Sequence, residues 1–334
     1  MPRHRQSDRS FPEKASVLSN QEFERARIVL AGLRGPVAGL FAEAGTGTLR
    51  QADEATAVVE EIIDSMARHP MALIGLAGPK SGDDRILMHL LSTSALMVAL
   101  AGTLGFDDRR KRHAGLVGLL HDIGKAQIPL EILNKPGALD ETQWKTMRSH
   151  ATRSYLILKD TPGLPADLLD GVRHHHEKID GTGYPDRLKG DQISPLAKMC
   201  ALCDVYDALI SDLPYKPGWH PAIALRRMGE ITKGHLDPVL FRAFVKTLGI
   251  YPVGSLVRLS SQRLAVVVNH DPKRLLQPTV KVFFCLRSKL QLAPVLLDLG
   301  EARCREQIVG AEDPKALGLA HVDQVQAPPT LTTA

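Results

Sequence analysis

The chain has 334 residues, of which 44% are hydrophobic and 24% are charged, and its formal net charge is +5. This composition is close to that of soluble globular proteins and excludes a fibrous or largely disordered chain. The length allows two domains or one large domain with appendages, and the mild positive charge suits an anionic ligand without demanding one.

The N-terminal part of the chain predicts a loose tail followed by helices. Residues 1–19 mix Arg, Ser, Pro and His without periodicity, whereas residues 21–33 and 50–68 carry apolar residues at helical spacing. The breaker Gly45, Thr46 and Gly47 separates the two segments. We therefore expect a basic tail over 1–19 and a helical subdomain over 20–79, which is a candidate surface for a protein partner.

Residues 86–106 contain no acidic or basic residue apart from His89. A membrane-spanning helix needs about 20 apolar residues, so this run has the necessary length. Polar residues interrupt it, among them Ser92, Thr93 and Ser94, and no aromatic belt flanks it. We interpret the run as a buried core helix and expect no membrane span.

Helix starts can be recognised in the middle of the chain. Asp140 is followed three residues later by Gln143, which is the spacing of a capping box. Ser194 and Asp237 each precede a proline suited to the first helical turn. Beyond Tyr251 the pattern changes to β-rich runs at 256–259, 265–268 and 280–284. We predict a helical domain over 80–250, a small β-containing appendage over 251–309 and a flexible tail over 310–334.

The four cysteines are irregularly placed and no secretory signal opens the chain. We therefore expect a cytoplasmic protein in a reducing compartment. Cys200 and Cys203 form a Cys-x-x-Cys pair, but they lie among apolar residues without a second pair, which favours buried packing over zinc or redox chemistry. The basic run 109–112 has no interleaved aromatic residues, so we interpret it as an exposed helix start and expect no nucleic-acid partner.

Histidines and carboxylates are concentrated between residues 89 and 204, on separate predicted helices. A single buried histidine is usually a core residue with satisfied hydrogen bonds, but five or more that converge on one interior point predict a metal site. Imidazole combined with carboxylate suits transition metals better than magnesium or calcium. The candidates are His89, His121, Asp122, His150, the histidines at 174–176, and Asp204.

Three motifs give this pattern a family resemblance. The sequence HDIGK stands at 121–125, HHE at 175–177 is followed by DGTGYP at 180–185, and VYDA stands at 205–208. From about residue 83 to 254 the chain resembles the HD-GYP family of metal-dependent phosphohydrolases. The resemblance implies a mainly α fold: an HD-type helical bundle with a leading helical subdomain and a small C-terminal β appendage. It also implies a phosphodiesterase that opens cyclic di-GMP to linear pGpG with a hydroxide held between two metal ions.

The resemblance assigns roles to individual residues. Asp122 would bridge two divalent transition-metal ions, with iron or manganese expected and zinc or nickel as alternatives. The implied metal ligands are His89, His121, Asp122, His150, His175, His176 and Asp204. Asp122 and Lys125 are the expected catalytic residues, and the expected substrate contacts are Lys125, Tyr184, Lys216 and Asp83.

Two residues close in sequence to the implied ligands, His174 and Asp207, are not themselves expected to be ligands. His174 should point away from the ligands, because it directly precedes the paired histidines on a helix. Asp207 either orients a ligand histidine or packs its helix.

Two departures from the family pattern leave alternatives open. Arg85 stands where some members place a glutamate that helps to hold a third metal, and Leu213 replaces a common arginine. The first alternative is a catalytically weak cyclic di-GMP sensor or interaction module. The second is an HD phosphohydrolase that acts on another nucleotide or cyclic dinucleotide.

Overall fold

The computed structural model describes residues 13–76, 85–212, 218–314 and 316–319. The helices are α1 Glu13–Gly45, α2 Asp53–Arg68, α3 Pro70–Leu76, α4 Arg85–Thr103, α5 Asp108–Leu120, α6 Leu130–Leu133, α7 Glu141–Arg148, α8 His150–Leu158, α9 Ala166–His174, α10 Pro195–Ile210, α11 Pro221–Ile231 and α12 Pro238–Leu248. Short 3-10 helices cover Ile123–Gln127 and Gly190–Gln192. The predicted mainly α bundle with a small C-terminal sheet is confirmed.

Helix α1 is longer than the sequence predicted. It begins at Glu13, inside the segment 1–19 that was expected to be a loose tail, and residues 1–12 lie outside the described part. It also continues past residue 33, because Val37 and Leu40 extend the buried apolar face that Leu30 and Leu33 begin. The helix ends at the predicted glycine breaker, where Gly47 has a positive φ of 100°.

The leading helices share one hydrophobic core with the helices that follow. Leu40 of α1 and Ile62 of α2 belong to the same buried cluster as Leu96 of α4, Val117 of α5 and Phe244 of α12. Removing α1 and α2 would therefore expose apolar surface of the central bundle.

Close packing of α4 against α5 depends on Gly118. A Cβ added at Gly118 would lie 2.7 Å from the Cα of Ser94, so no larger residue fits there. The Ser94 hydroxyl also donates to the carbonyl oxygen of Gly115 over 2.8 Å. This contact places His89, near the start of α4, beside His121 at the end of α5.

Within the described residues, two helices, Gln21–Gly45 and Arg85–Thr103, are long and apolar enough to cross a membrane by length and composition alone. In Arg85–Thr103, 67% of the most apolar 18-residue stretch is buried within the fold, as predicted for a core helix. In Gln21–Gly45 the corresponding share is 28%.

The predicted helix starts are confirmed at α7, α10 and α12. The Asp140 carboxylate accepts from the Gln143 backbone N–H over 2.9 Å, and the Gln143 side chain completes the capping box. Ser194 caps α10, and the Asp237 carboxylate accepts from two backbone N–H groups of α12. These caps satisfy backbone donors that would otherwise lack partners.

The C-terminal strands form one antiparallel sheet in the order β4, β3, β2, β1, β5. They are β1 Leu256–Leu259, β2 Arg263–Asn269, β3 Thr279–Cys285, β4 Leu290–Asp298 and β5 Ile308–Ala311. The first three match the predicted runs. Strand β5 extends to Ala311 and so overlaps the first residues of the segment 310–334, for which a flexible tail was predicted; residues 320–334 lie outside the described part.

Candidate metal centre

The histidines and carboxylates predicted to converge do lie together at the centre of the helical bundle. His89 comes from α4, His121 and Asp122 directly follow α5, and Asp204 comes from α10. His150 begins α8, and the pair at 175 and 176 directly follows α9. Their donor atoms form two groups of four in which the atoms lie within 4.8 Å of one another. One group is His89, His121, Asp122 and Asp204; the other is Asp122, His150, His175 and His176.

The HDIGK turn reaches this centre because Gly124 lets it lie directly on the start of α8. A Cβ added at Gly124 would meet the His150 carbonyl oxygen at 2.3 Å. The Ser154 hydroxyl joins the same elements, since it accepts from the Gly124 N–H over 2.8 Å and donates to the His121 carbonyl over 2.7 Å. Ser154 was missed from the sequence, because a serine in a helix carries no distinguishing pattern.

Three of the histidines are oriented by the same type of local hydrogen bond. The Nδ1–H groups of His121, His150 and His175 donate to the carbonyl oxygens three residues earlier in the chain, at 2.9, 2.7 and 2.7 Å. A carbonyl oxygen only accepts, so each Nδ1 carries the proton and each Nε2 is left with a free lone pair. The three Nε2 atoms face the centre of the cluster.

His89 is oriented by a carboxylate instead. Its Nδ1 donates to the Asp207 carboxylate over 2.6 Å, and its Nε2 lies 3.1 Å from Asp204 Oδ1 and 3.4 Å from Asp122 Oδ2. Asp207 is fully buried. Of the two roles considered for Asp207, this contact favours orientation of a ligand histidine.

The donor set fits divalent cations. His150 Nε2 lies 3.3 Å from His175 Nε2, and two neutral imidazole lone pairs at such a distance repel each other. The buried His121 Nε2 and Asp122 Oδ1 have no hydrogen-bond partner among the described residues. Buried polar atoms normally have one, so unpaired lone pairs that converge from several helices indicate a place for positive charge. The cluster can hold metal ions of the transition type.

The pKa values of the cluster residues also indicate a place for positive charge. Burial lowers the pKa of His175 to about 4, and burial together with His175 holds the pKa of His176 well below its usual range. Burial alone would raise the pKa of Asp122, but Lys125 and His121 hold it well below its usual value. Burial opposes charge on His89, yet Asp122, Asp204 and Asp207 raise its pKa well above the ordinary value. Without an ion, the acidic half of the cluster therefore draws a proton.

Lys125 and Tyr184 flank the cluster on two sides. The Lys125 ammonium forms an ion pair with the Asp122 carboxylate and lines a cavity beside the cluster. The Tyr184 ring stacks on His176 with a centroid distance of 4.7 Å. Burial together with Asp204 and Asp122 raises the pKa of Tyr184, so its hydroxyl keeps its proton at neutral pH.

The loop that carries Tyr184 is held by Glu177. The buried Glu177 carboxylate accepts from the backbone N–H groups of Asp186 at 2.7 Å and Leu188 at 3.0 Å. Gly183 packs so closely on Glu177 that an added Cβ would lie 2.5 Å from its Cα. His174, as predicted, points elsewhere: its nitrogens lie 2.7 Å from Asp170 and 2.9 Å from Asp186.

A cavity of about 550 Å³ opens directly on the cluster. One wall carries His89, Asp204, Lys125 and Arg85, and the opposite wall is formed by α6, α7 and their connection. The second wall was not predicted from the sequence, although Trp144 and Met147 stand at helical spacing on α7 and mark one face. The predicted contacts Asp83 and Lys216, and the departure at Leu213, lie outside the described residues.

The arrangement is that of a candidate metal site within a helical bundle beside a cavity, and the chain is similar to several known proteins. Residues 58–240 match the HD domain family. A cyclic di-GMP phosphodiesterase of Pseudomonas aeruginosa is 45% identical over 314 residues, which cover 94% of this chain and 76% of the relative. A 3'3'-cGAMP-specific phosphodiesterase of Vibrio cholerae is 37% identical over 154 residues, which cover 46% of this chain and 33% of the relative.

A solved structure shares the fold. An HDG"Y"P protein of Bdellovibrio bacteriovorus matches with a TM-score of 0.54 at 21% sequence identity, over 67% of this chain and 71% of the other. The chain belongs to the HD domain family, and its motifs place it in the HD-GYP branch of that family.

Proposed function

We propose that this protein is a metal-dependent cyclic di-GMP phosphodiesterase that cleaves one phosphodiester bond and releases linear pGpG. The observation that carries the proposal is the pair of four-residue donor groups that share Asp122. Two ions held by one shared carboxylate are a recurrent arrangement in enzymes that hydrolyse phosphate esters. The relative that matches 94% of this chain bears the name of this activity, which supports the substrate.

The proposed ligands are His89, His121, Asp122 and Asp204 for one ion and Asp122, His150, His175 and His176 for the other. Imidazole-rich sites with two carboxylates suit iron or manganese, and zinc or nickel would also be accepted. When bound, such ions supply Lewis acidity and lower the pKa of water.

The chain's own residues define where the phosphate must lie. The Lys125 ammonium sits at the boundary between the donor groups and the cavity, where it can donate to a phosphate oxygen and offset developing negative charge. Arg85 lines the same part of the cavity and adds a second cation. Tyr184 covers the His176 side of the cluster and limits access of water there.

A substrate panel tests the proposal. Purified protein loaded with Mn²⁺ or Fe²⁺ should hydrolyse cyclic di-GMP to pGpG, with less turnover of other cyclic dinucleotides and of nucleoside triphosphates. Asp122→Ala should lose turnover and both ions, while circular dichroism shows an intact fold, because other helices hold the core. Binding without turnover would favour the sensor alternative. Full turnover by a metal-depleted Asp122→Ala protein would refute the proposal.

We further propose a cytoplasmic location, which is supported by the four free cysteines. A protein partner at the leading helices stays a prediction.

A further inference from the structure

The cavity beside the metal centre has two chemically different walls. The wall that adjoins the donor groups is charged: Arg85 and Lys125 line it together with Asp204. The opposite wall, formed by α6, α7 and the connection between them, is largely apolar and includes Leu133, Trp144 and Met147. A ligand that fills both sides must combine an anionic group with a flat apolar group, as a nucleotide does.

Trp144 is the most prominent side chain of the apolar wall. It is 47% exposed, which is unusual for a tryptophan that could have been packed in the core. Its indole is held in place, because the Arg148 guanidinium lies 5.7 Å from the Trp144 ring centroid and 5.5 Å from the ring of Tyr184. An exposed indole held in this way provides a rigid stacking surface for a base.

Lys135 places a fixed positive charge along the same wall. Its Nζ donates to the Gln143 side-chain oxygen over 2.6 Å, and Gln143 is itself held in the capping box of α7. An ammonium group only donates hydrogen bonds. It therefore matches the O6 and N7 acceptors of guanine, whereas the adenine amino group at the corresponding position would repel it.

We propose that the wall formed by α6 and α7 is a nucleobase subsite, in which Trp144 stacks on one base and Lys135 selects guanine over adenine. This inference rests on the proposed function and names the part of the chain that recognises the base. The phosphate lies on the opposite wall, so base recognition and hydrolysis use separate sets of residues.

Kinetics with matched variants test the two roles. For the metal-loaded protein, Trp144→Ala should raise KM for cyclic di-GMP about tenfold with little change in kcat, and Trp144→Phe should restore most of the loss. Lys135→Met should reduce the ratio of kcat/KM for cyclic di-GMP to that for cyclic di-AMP about tenfold. Lys159→Met is the control, since Lys159 pairs with Asp160 at the end of α8 and does not line the cavity, so both substrates should be unchanged.

Fluorescence provides a readout that does not depend on turnover. The chain has two tryptophans, Trp144 and Trp219, so Trp219→Phe leaves Trp144 as the sole reporter. A phosphorothioate analogue of cyclic di-GMP, which resists hydrolysis, should quench this emission with saturation. Lys135→Met should shift the midpoint of the titration to a higher concentration.

The possible outcomes distinguish an error in the proposed subsite from an error in the proposed function. If the wild-type protein hydrolyses cyclic di-GMP but Trp144→Ala leaves KM and quenching unchanged, the stacking role is wrong. Equal losses for guanine and adenine substrates in Lys135→Met would show that Lys135 binds phosphate instead of reading the base. A wild-type protein that neither hydrolyses cyclic di-GMP nor binds its analogue would overturn both the subsite and the proposed function.

Discussion

Replacement of Asp207 should weaken one of the two candidate metal sites and spare the other. Asp207 contacts His89 over 2.6 Å, and His89 belongs only to the group with His121, Asp122 and Asp204. A charge-assisted hydrogen bond of this kind contributes about 1.5–3 kcal/mol. Loss of a partner that orients a ligand histidine typically lowers metal affinity about 10- to 100-fold.

Two variants separate the charge of Asp207 from its hydrogen bond. Asp207→Asn keeps an acceptor for the His89 Nδ1–H but removes the charge, so we expect a loss near the lower end of that range. Asp207→Ala removes both and should approach the upper end. In each variant the group formed by Asp122, His150, His175 and His176 keeps its donors.

Competition between the protein and a chelator for Mn²⁺ measures the effect. The wild-type protein should release two ions in a narrow range of chelator concentration, and the Asp207 variants should release one early and one late. Asp170→Asn is the matched control, because Asp170 contacts His174, which lies outside both donor groups. Unchanged release in both Asp207 variants, or equal weakening of both ions, would refute the reasoning.

Substitutions at Glu177, Arg85 and His220 test three other features of the structure. Glu177→Gln puts an amide against two backbone donors, so the free energy of unfolding in urea should fall by about 1–3 kcal/mol and KM should rise. Arg85→Glu adds a carboxylate one turn before His89, so elemental analysis should find a third ion and GMP should replace pGpG as the product. Burial lowers the pKa of His220 to about 4 in the folded protein. On acidification this histidine therefore takes up a proton in the unfolded chain at a higher pH than in the folded protein. Between pH 6.5 and 4, metal-free His220→Gln protein should therefore lose about 3 kcal/mol less stability than the metal-free wild-type protein, whose other buried histidines still contribute.

The sequence predicted the donor cluster because its chemistry is visible in residue types. Histidines on separate apolar helices have few alternatives to a shared interior site, and Asp122 next to His121 marks the shared ligand. Helix starts were equally predictable, since Asp140 and Gln143 interact within one turn. These features depend on local spacing, which a sequence records directly.

Other parts of the site could not be read from the chain. Ser154 joins the HDIGK turn to α8, and Trp144 faces the cavity, but both roles depend on contacts between distant elements. Helix α1 was predicted too short at its C-terminal end, because Gly35, Pro36 and Gly39 are weak helix formers that packing overrides. Local propensity underestimates a helix whose stability comes from the core it joins.

Charge balance explains why this cluster suits a cyclic dinucleotide once metal is bound. Asp122, Asp204 and Asp207 carry three negative charges, and Lys125 offsets one of them. The metal-free cluster is therefore acidic, which is why the pKa values of His89 and His121 are raised despite burial. Two divalent ions would reverse the net charge to about two positive, and a ligand with two phosphodiester groups carries the matching negative charge. The carboxylates that attract protons in metal-free protein would thus make the metal-loaded cluster nearly neutral once the substrate is bound.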